Sequence, residues 1–183
     1  MSRVLYWCAA VLLLTLVAGC HSAGLYGHAR TYAPLSDEAD AAQHAKPYDP
    51  VMAQRMPEQW KGKPVSLFGV VKRRNPGPGG AADLTLSVRT LEPRNLCSNS
   101  SEDSCRVTVS DHEYAVIHAL AKLRTDDNIG KNSVGIGSLV RVIGVIGDEV
   151  DASDGTPVLR ATYYRHWPRD FYVTTADRAT MRQ

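Results

Sequence analysis

The stretch SDHEYAVIHALAKL, residues 110–123, decides the fold that the sequence predicts, because its periodicity differs from that of its flanks. Ser110 and Glu113 have the spacing of a capping box, in which each side chain caps the backbone of the other at a helix start. The apolar residues that follow recur at helical spacing; they are Val116, Ile117, Leu120 and Leu123. The pattern predicts one helix here.

The segments on either side of this predicted helix alternate between apolar and polar residues, as strands do. Three of them precede it, at 65–71, 84–90 and 106–110, and two follow it, at 139–146 and 158–165. Five strands with a helix between the third and the fourth is the order of the OB-fold, a small Greek-key barrel. We therefore predict a mainly β fold, an OB-like five-stranded barrel with one helix between strands 3 and 4.

The N-terminus has the features of an export signal. Arg3 precedes an apolar run that is too short to span a bilayer comfortably. The run ends in LVAGC, residues 16–20, which resembles the lipobox of bacterial lipoproteins. The resemblance implies cleavage before Cys20 and attachment of acyl chains, such as palmitate, to that cysteine. His21 stands where inner-membrane lipoproteins typically carry aspartate, which favours the outer membrane.

Four regions follow from these patterns. Residues 1–19 are the predicted signal peptide, 20–59 the lipidated cysteine with a flexible tether, 60–172 the barrel, and 173–183 a C-terminal tail. The tether shows no sustained periodicity, although a short helix over 36–45 fits its composition. As a coil, about 35 residues would reach roughly 30–35 Å.

Two cysteines remain in the predicted exported domain. Cys97 and Cys105 would face an oxidising compartment, where a close pair tends to form a disulfide. A zinc site is the alternative, but two thiolates need further ligands, and the sequence has no His-x3-His or second cysteine pair beside them. We predict a disulfide.

The sequence offers no catalytic motif. His112, His118 and His166 are the histidines of the domain, and none lies in a recognisable arrangement with a nucleophile and an acid. The acidic loop with Asp148, Glu149, Asp151 and Asp154 suggests calcium, but its spacing does not match the EF-hand, so we interpret it as a solvated hairpin. We predict a protein that is not an enzyme, with no cofactor and no metal.

Basic and aromatic residues suggest a binding face near the first and last hairpins, which flank the ligand face in OB-folds. Its candidate residues are Arg73, Arg74, Tyr163, Tyr164, Arg165 and Trp167. Charge and ring stacking would suit a nucleic acid strand or an anionic glycan. The alternative is that the aromatic residues fill the core and the arginines are solvated. Without residues 1–19 the chain keeps 20 basic against 19 acidic side chains, and with export this predicts no nucleic acid partner.

A family resemblance adds to this interpretation. The lipobox, a polar tether, Gly-Val-Val at 69–71, VRVIGVIG at 140–147 and a final strand ending near Trp167 resemble the Slp-type outer-membrane lipoproteins. The resemblance implies an envelope role and no catalytic residues. We predict a non-enzymatic binding or assembly module that is lipid-anchored on the outer membrane, faces the periplasm and has an envelope protein partner. The alternative is a periplasmic small-ligand or glycan-binding protein, or a cell-wall enzyme using His166.

Overall fold

The computed structural model describes residues 25–27, 30–96 and 107–179. Cys20, Cys97 and Cys105 lie outside the described residues, so the predicted lipidation and disulfide remain predictions. Within the described part of the chain, no helix is long and apolar enough to cross a membrane.

The described elements are short helices and longer strands. In chain order they are α1 (Ser36–Ala42), β1 (Lys46–Pro47), α2 (Pro50–Arg55), β2 (Pro64–Pro76), β3 (Ala82–Arg89), β4 (Thr108–Val109), β5 (Ala115–Ala121), α3 (Thr125–Asn128), β6 (Leu139–Val150), β7 (Pro157–Trp167) and β8 (Val173–Thr174). Single 3-10 turns lie at Pro57–Gln59, Pro78–Gly80 and Thr175–Ala179.

Five of these strands close into a barrel. β2 pairs antiparallel with both β3 and β6, β3 pairs antiparallel with β5, and β7 joins β5 in parallel and β6 antiparallel. A shift of register between Val71 and Arg73 bends the long strand β2, as a β-bulge does, so that its two halves serve different neighbours. The closed ring, with α3 between the third and fourth barrel strands, confirms the predicted OB-like fold.

The segment that predicted the fold is itself not a helix. Residues 115–121 form β5, the third strand of the barrel, and the helix before the fourth strand is the single turn α3. Ile117, Ala119 and Ala121 alternate into the core, but alanines give a weak apolar signal, so the period of two was hidden. The adjacent β-branched Val116 and Ile117 favour a strand.

The prediction that residues 106–110 form the third strand of the barrel is also wrong. Of the described residues of this segment, 107–110, Thr108 and Val109 pair in parallel with β8, apart from the barrel. Pairing with β8 also shows that the predicted tail from residue 173 begins as a packed element rather than a free end.

The barrel interior is filled by the apolar residues of alternating strand positions. Fully buried members include Val65, Leu84, Leu86, Ile117, Val140, Val142 and Leu159. A second apolar cluster lies outside the barrel wall; Phe68, Leu139 and Trp167 come from β2, β6 and β7, and Val107 and Val109 come from β4 and the residue before it. Tyr26, Tyr32, Phe171 and Tyr172 pack over this second cluster.

Residues 25–27 and 30–42, which we call the N-terminal strap, lie against the outside of the barrel. The Leu25 carbonyl accepts a hydrogen bond from Arg165 at 2.9 Å, and the Tyr26 carbonyl accepts one from the Trp167 indole at 3.1 Å. Further along, β1 pairs in parallel with β2. The interpretation of residues 20–59 as a flexible tether is therefore wrong for 30–59, which pack by short helices that leave no sustained periodicity.

Glu38 of the strap is buried between two arginines of the barrel wall. Its Oε1 accepts from Arg141 at 2.6 Å and its Oε2 from Arg165 at 2.8 Å; the Tyr32 hydroxyl donates to Oε1 as well. Burial alone would raise the pKa of Glu38, but the hydrogen bonds from Tyr32, Arg141 and Arg165 bring it below its ordinary value. The carboxylate is therefore held ionised, and it neutralises part of the buried positive charge.

Strands β6 and β7 approach unusually closely at Gly144. The register between these strands shifts at this residue. A Cβ added there would lie 2.1 Å from the backbone oxygen of Arg160. Glycine is thus required by the close approach of two backbones, and it marks where β7 turns along the barrel.

Candidate functional site

The predicted binding face does not exist as one surface. Arg165 and Trp167 are 1% and 0% exposed, and both hold the N-terminal strap. Tyr164 is also buried, and its hydroxyl accepts from the Arg124 amide and donates to Asp127 Oδ2, each at 2.7 Å. Tyr164 and Trp167 belong to the apolar clusters, as the alternative interpretation stated, whereas Arg165 is buried and not solvated as that interpretation expected.

The other three predicted residues, Arg73, Arg74 and Tyr163, do not share one surface either. Arg73 is exposed, whereas Arg74 donates to the carbonyls of Asn128 at 3.1 Å and Val134 at 2.8 Å. Arg74 therefore fixes the connection between β5 and β6. Of the predicted aromatic residues, only Tyr163 is half-buried beside an open groove.

This groove lies where β5 and β7 separate beyond their short parallel pairing at residues 118–120 and 158–160. It measures about 520 Å³. We call it the β5–β7 groove, and its lining includes Leu120, Lys122, Arg124, Arg160, Tyr163 and Tyr164. Pro78 and Ala81 of the first hairpin loop lie at its edge. Three cations and two tyrosines thus line one depression.

The three cations differ in how they are held. Arg124 donates to Asp127 Oδ2 at 2.8 Å, and its guanidinium carbon lies 5.0 Å from the centre of the Tyr164 ring. Arg160 donates to both oxygens of Glu149, at 2.5 and 2.7 Å, across an exposed surface. Lys122 is exposed. An exposed ion pair costs little to open, so Lys122 and Arg160 are available to an anionic ligand.

A second site joins residues that the sequence analysis treated separately. His118 on β5 is 2% exposed in its side chain, and its Nδ1 lies 2.9 Å from Asp83 Oδ1 and 3.5 Å from Asp151 Oδ2. Its Nε2 lies 3.3 Å from Asp154 Oδ2. Burial alone would lower the pKa of His118, but the hydrogen bonds with Asp83 and Asp154 raise it above the ordinary value. We call these four residues the His118 cluster.

The acidic loop is therefore divided between two roles. Asp148 pairs with Lys61 and Glu149 pairs with Arg160, while Asp151 and Asp154 turn to His118. The four carboxylates do not converge, so the calcium hypothesis has no site here. The His118 cluster escaped the sequence analysis because residues 110–123 were predicted as a helix, in which His118 has no relation to Asp83. As a strand, β5 pairs with β3 and brings the two side by side.

The histidine that carried the enzyme alternative is enclosed. His166 is 4% exposed, and its Nδ1 lies 3.3 Å from Asp127 Oδ1. Burial lowers the pKa of His166, against the opposing effect of Asp127. A buried, neutral imidazole that binds a helix residue explains its position without a substrate.

Comparisons with known proteins give structural neighbours and no family. No family model matches the chain, and no curated protein matches it. The small single-stranded DNA-binding protein from Streptomyces coelicolor superposes with a TM-score of 0.35 and 15% identity, over 58% of this chain and 93% of that one. A deletion mutant and the wild type of the single-stranded DNA binding protein from Thermus aquaticus give TM-scores of 0.31 and 0.30, with 21% and 19% identity. Each superposition with a Thermus aquaticus protein covers 58% of this chain and about half, 51%, of that chain.

These neighbours correct one prediction. All three bind single-stranded DNA by name, so the expectation that no nucleic acid is a partner is contradicted and is dropped. TM-scores of this size do not support assigning the ligand of these proteins to this chain. The choice among anionic ligands therefore depends on the groove itself and on experiment.

Proposed function

We propose that this chain is a non-enzymatic binding module, anchored by lipid in the bacterial cell envelope, that takes an anionic ligand in the β5–β7 groove. The observation that carries the proposal is the convergence of Lys122, Arg124 and Arg160 on an open groove beside Tyr163. A ligand with a phosphate or carboxylate next to a ring or an apolar face fits this chemistry, because the cations attract charge and the tyrosine offers a flat surface.

The first hairpin loop, one of the two that flank the ligand face of OB-folds, borders the groove. In OB-folds, ligands bind across the strand face that the first and last hairpin loops flank. Here the first hairpin loop contributes Pro78 and Ala81, and the last barrel strand contributes Arg160 and Tyr163. The groove is thus built on rigid strands, with its cations at the ends of long side chains that can adjust.

The anchor is supported by sequence. LVAGC at residues 16–20 follows an apolar run of signal-peptide length, and the resemblance to Slp-type lipoproteins points to the outer membrane and to an envelope protein partner. The lipid would place the barrel at the membrane surface on the periplasmic side.

Removing the two accessible cations tests the groove. We expect the double variant Lys122→Ala, Arg160→Ala to weaken binding by 10-fold or more, since each charged contact contributes about 1.5–3 kcal/mol. The measurement is fluorescence anisotropy of the full chain in detergent, with labelled oligothymidylate and oligogalacturonate as separate probes. The probe that binds identifies the ligand class.

A matched control uses exposed lysines elsewhere on the barrel. The double variant Lys63→Ala, Lys131→Ala removes the same charge away from the groove. The groove proposal fails when neither probe binds the wild type, or when the control weakens binding as much as the groove variant. Raised salt should weaken binding in the wild type more than in the groove variant.

The anchor has its own test. We expect the intact mass of the mature chain from membranes to show acyl chains on Cys20, and Cys20→Ser to leave the protein uncleaved and without lipid. Ser22→Ala is the control, because it alters a neighbouring small residue and keeps the thiol. A mature chain that lacks lipid and stays soluble would rule out the anchored form.

A further inference from the structure

We propose that Asp83, His118 and Asp151 bind a divalent transition-metal ion such as Zn²⁺, and that Asp154 orients the imidazole by accepting a hydrogen bond from Nε2, without binding the ion itself. This site is distinct from the cations of the β5–β7 groove. It lies on the outer face of β3 and β5, beneath the loop between β6 and β7. The ligand atoms of Asp83, His118 and Asp151 all lie within 4.8 Å of one another, which no other group of three His, Cys or acidic residues achieves among the described residues.

One separation between the ligand atoms already matches a metal site, and another is shorter by a few tenths of an ångström. Ligands at about 2.0–2.2 Å from a tetrahedral zinc ion lie roughly 3.3–3.6 Å from each other. His118 Nδ1 lies 3.5 Å from Asp151 Oδ2 and 2.9 Å from Asp83 Oδ1. An ion can therefore replace the proton on Nδ1 after a movement of a few tenths of an ångström by Asp83.

Nε2 of His118, the ring nitrogen that would not bind the ion, lies beside a carboxylate, as it does in many metal sites. Metal-bound histidines usually donate their other ring N–H to a carboxylate, which fixes the tautomer and the ring orientation. Asp154 Oδ2 lies 3.3 Å from His118 Nε2. With the proton on Nε2, the lone pair of Nδ1 points to the two other carboxylates.

Hydrogen bonds to Oδ1 hold both aspartates of the β6–β7 loop in place. Asp151 Oδ1 accepts from the Ser153 amide at 2.8 Å, and Asp154 Oδ1 accepts from the Thr156 amide at 3.0 Å. In each residue the Oδ2 atom remains directed at His118. Binding an ion would thus require little ordering of the loop.

Burial and charge also favour an ion. The imidazole is 2% exposed, whereas Asp83 and Asp151 are 17% and 24% exposed in their side chains, so the ligand atoms meet at the edge of solvent. Three carboxylates surround one imidazole, and a divalent cation offsets their charge. Lys72, on the neighbouring surface with Asp154, is already paired with Glu113 at 3.1 Å.

The ligand set selects the class of metal. Calcium and magnesium prefer oxygen ligands alone, whereas an imidazole nitrogen with carboxylates suits zinc and other transition ions. The three protein ligands leave a fourth position open to water or to an exogenous ligand.

Direct metal titration of the purified full chain tests the site. We expect one Zn²⁺ per chain in competition with a chromogenic chelator, and Co²⁺ should give the intense visible absorption of a four-coordinate ion. Asp151→Asn should weaken Zn²⁺ binding at least 100-fold, and Asp154→Asn should weaken it about 10–100-fold, as is usual when the hydrogen-bond partner of a metal ligand is lost. Ca²⁺ and Mg²⁺ should not compete.

Controls separate this site from other histidines and acids. His112→Asn and Asp148→Asn alter exposed residues of the same types and should leave affinity unchanged. Because His118→Asn touches a buried residue and can affect folding, the exposed-loop variant Asp151→Asn decides the test, with its fold checked by circular dichroism. The proposal is overturned by a wild type without stoichiometric Zn²⁺, or by equal affinities in Asp151→Asn and Asp148→Asn. The β5–β7 groove variant should keep its metal, so the two sites fail independently.

Discussion

Replacing Glu38 by glutamine is expected to lower the free energy of unfolding by about 3–5 kcal/mol, the usual cost of removing one partner from a buried ion pair. The cost is large because Arg141 and Arg165 would remain in the barrel wall without a countercharge, although both now donate to Glu38 at 2.6 and 2.8 Å. Urea denaturation followed by tryptophan fluorescence measures the change.

Asp40→Asn is the matched control for this variant. Asp40 belongs to the same helix, α1, and is exposed, so its loss should change stability by less than about 0.5 kcal/mol. Equal stability of wild type and Glu38→Gln would show that the charge of Glu38 does not stabilise the folded barrel.

Acid should narrow the difference between wild type and Glu38→Gln. The folded pKa of Glu38 is lowered from its ordinary value of 4.5 by the hydrogen bonds that outweigh burial. Its contribution is therefore complete above that value and is lost as the pH falls through the folded pKa. We expect the two unfolding free energies, measured in urea at a series of pH values, to begin to converge as the pH falls below 4.5 and to meet once it is below the folded pKa.

Replacing Gly144 by alanine is expected to destabilise the barrel by about 3 kcal/mol, at the upper end of overpacking costs. The added methyl group would lie 2.1 Å from the Arg160 carbonyl oxygen and 2.8 Å from its carbon. Backbone atoms cannot turn aside as a side chain can, so β6 and β7 would have to separate. Thermal and urea unfolding measure the effect.

Gly147→Ala, three residues along the same strand, is the control for the clash. There the nearest atom to an added Cβ is the Glu149 amide nitrogen at 3.8 Å, an ordinary contact. This variant should remain within about 0.5 kcal/mol of wild type or gain slightly by restricting the unfolded chain. A similar loss in both variants would mean that the strand, rather than the close approach at Gly144, is sensitive.

The barrel was predictable from sequence because four of its strands alternate strongly or carry β-branched runs. β5 was not, since its inward positions are mostly alanines and a chance capping pair precedes it. The strap was missed for another reason. Its stability depends on Glu38 meeting Arg141 and Arg165, which lie 103 and 127 residues away, and no local pattern encodes such a contact.

The sequence predicted that basic and aromatic residues form the binding site, but not which of them share one surface. Along the last strand Tyr164 packs in the barrel core, whereas Tyr163, Arg165 and Trp167 lie on the opposite side of the wall, where Arg165 and Trp167 hold the strap and Tyr163 lines the groove. Lys122 and Arg160 were missed as a pair because their proximity depends on the parallel pairing of β5 with β7. The helix predicted at 110–123 also concealed the His118 cluster, which depends on the pairing of β5 with β3.

The N-terminal strap also limits the distance between the membrane and the barrel in the anchored protein. Arg165 holds the Leu25 carbonyl at 2.9 Å, so only five residue steps separate Cys20 from a fixed point on the barrel. Fully extended, they span roughly 18 Å, about half of what a free tether through residue 59 would give. In the lipid-anchored form proposed above, the barrel works within one protein diameter of the bilayer, and its ligand or partner must come to the membrane surface to meet it.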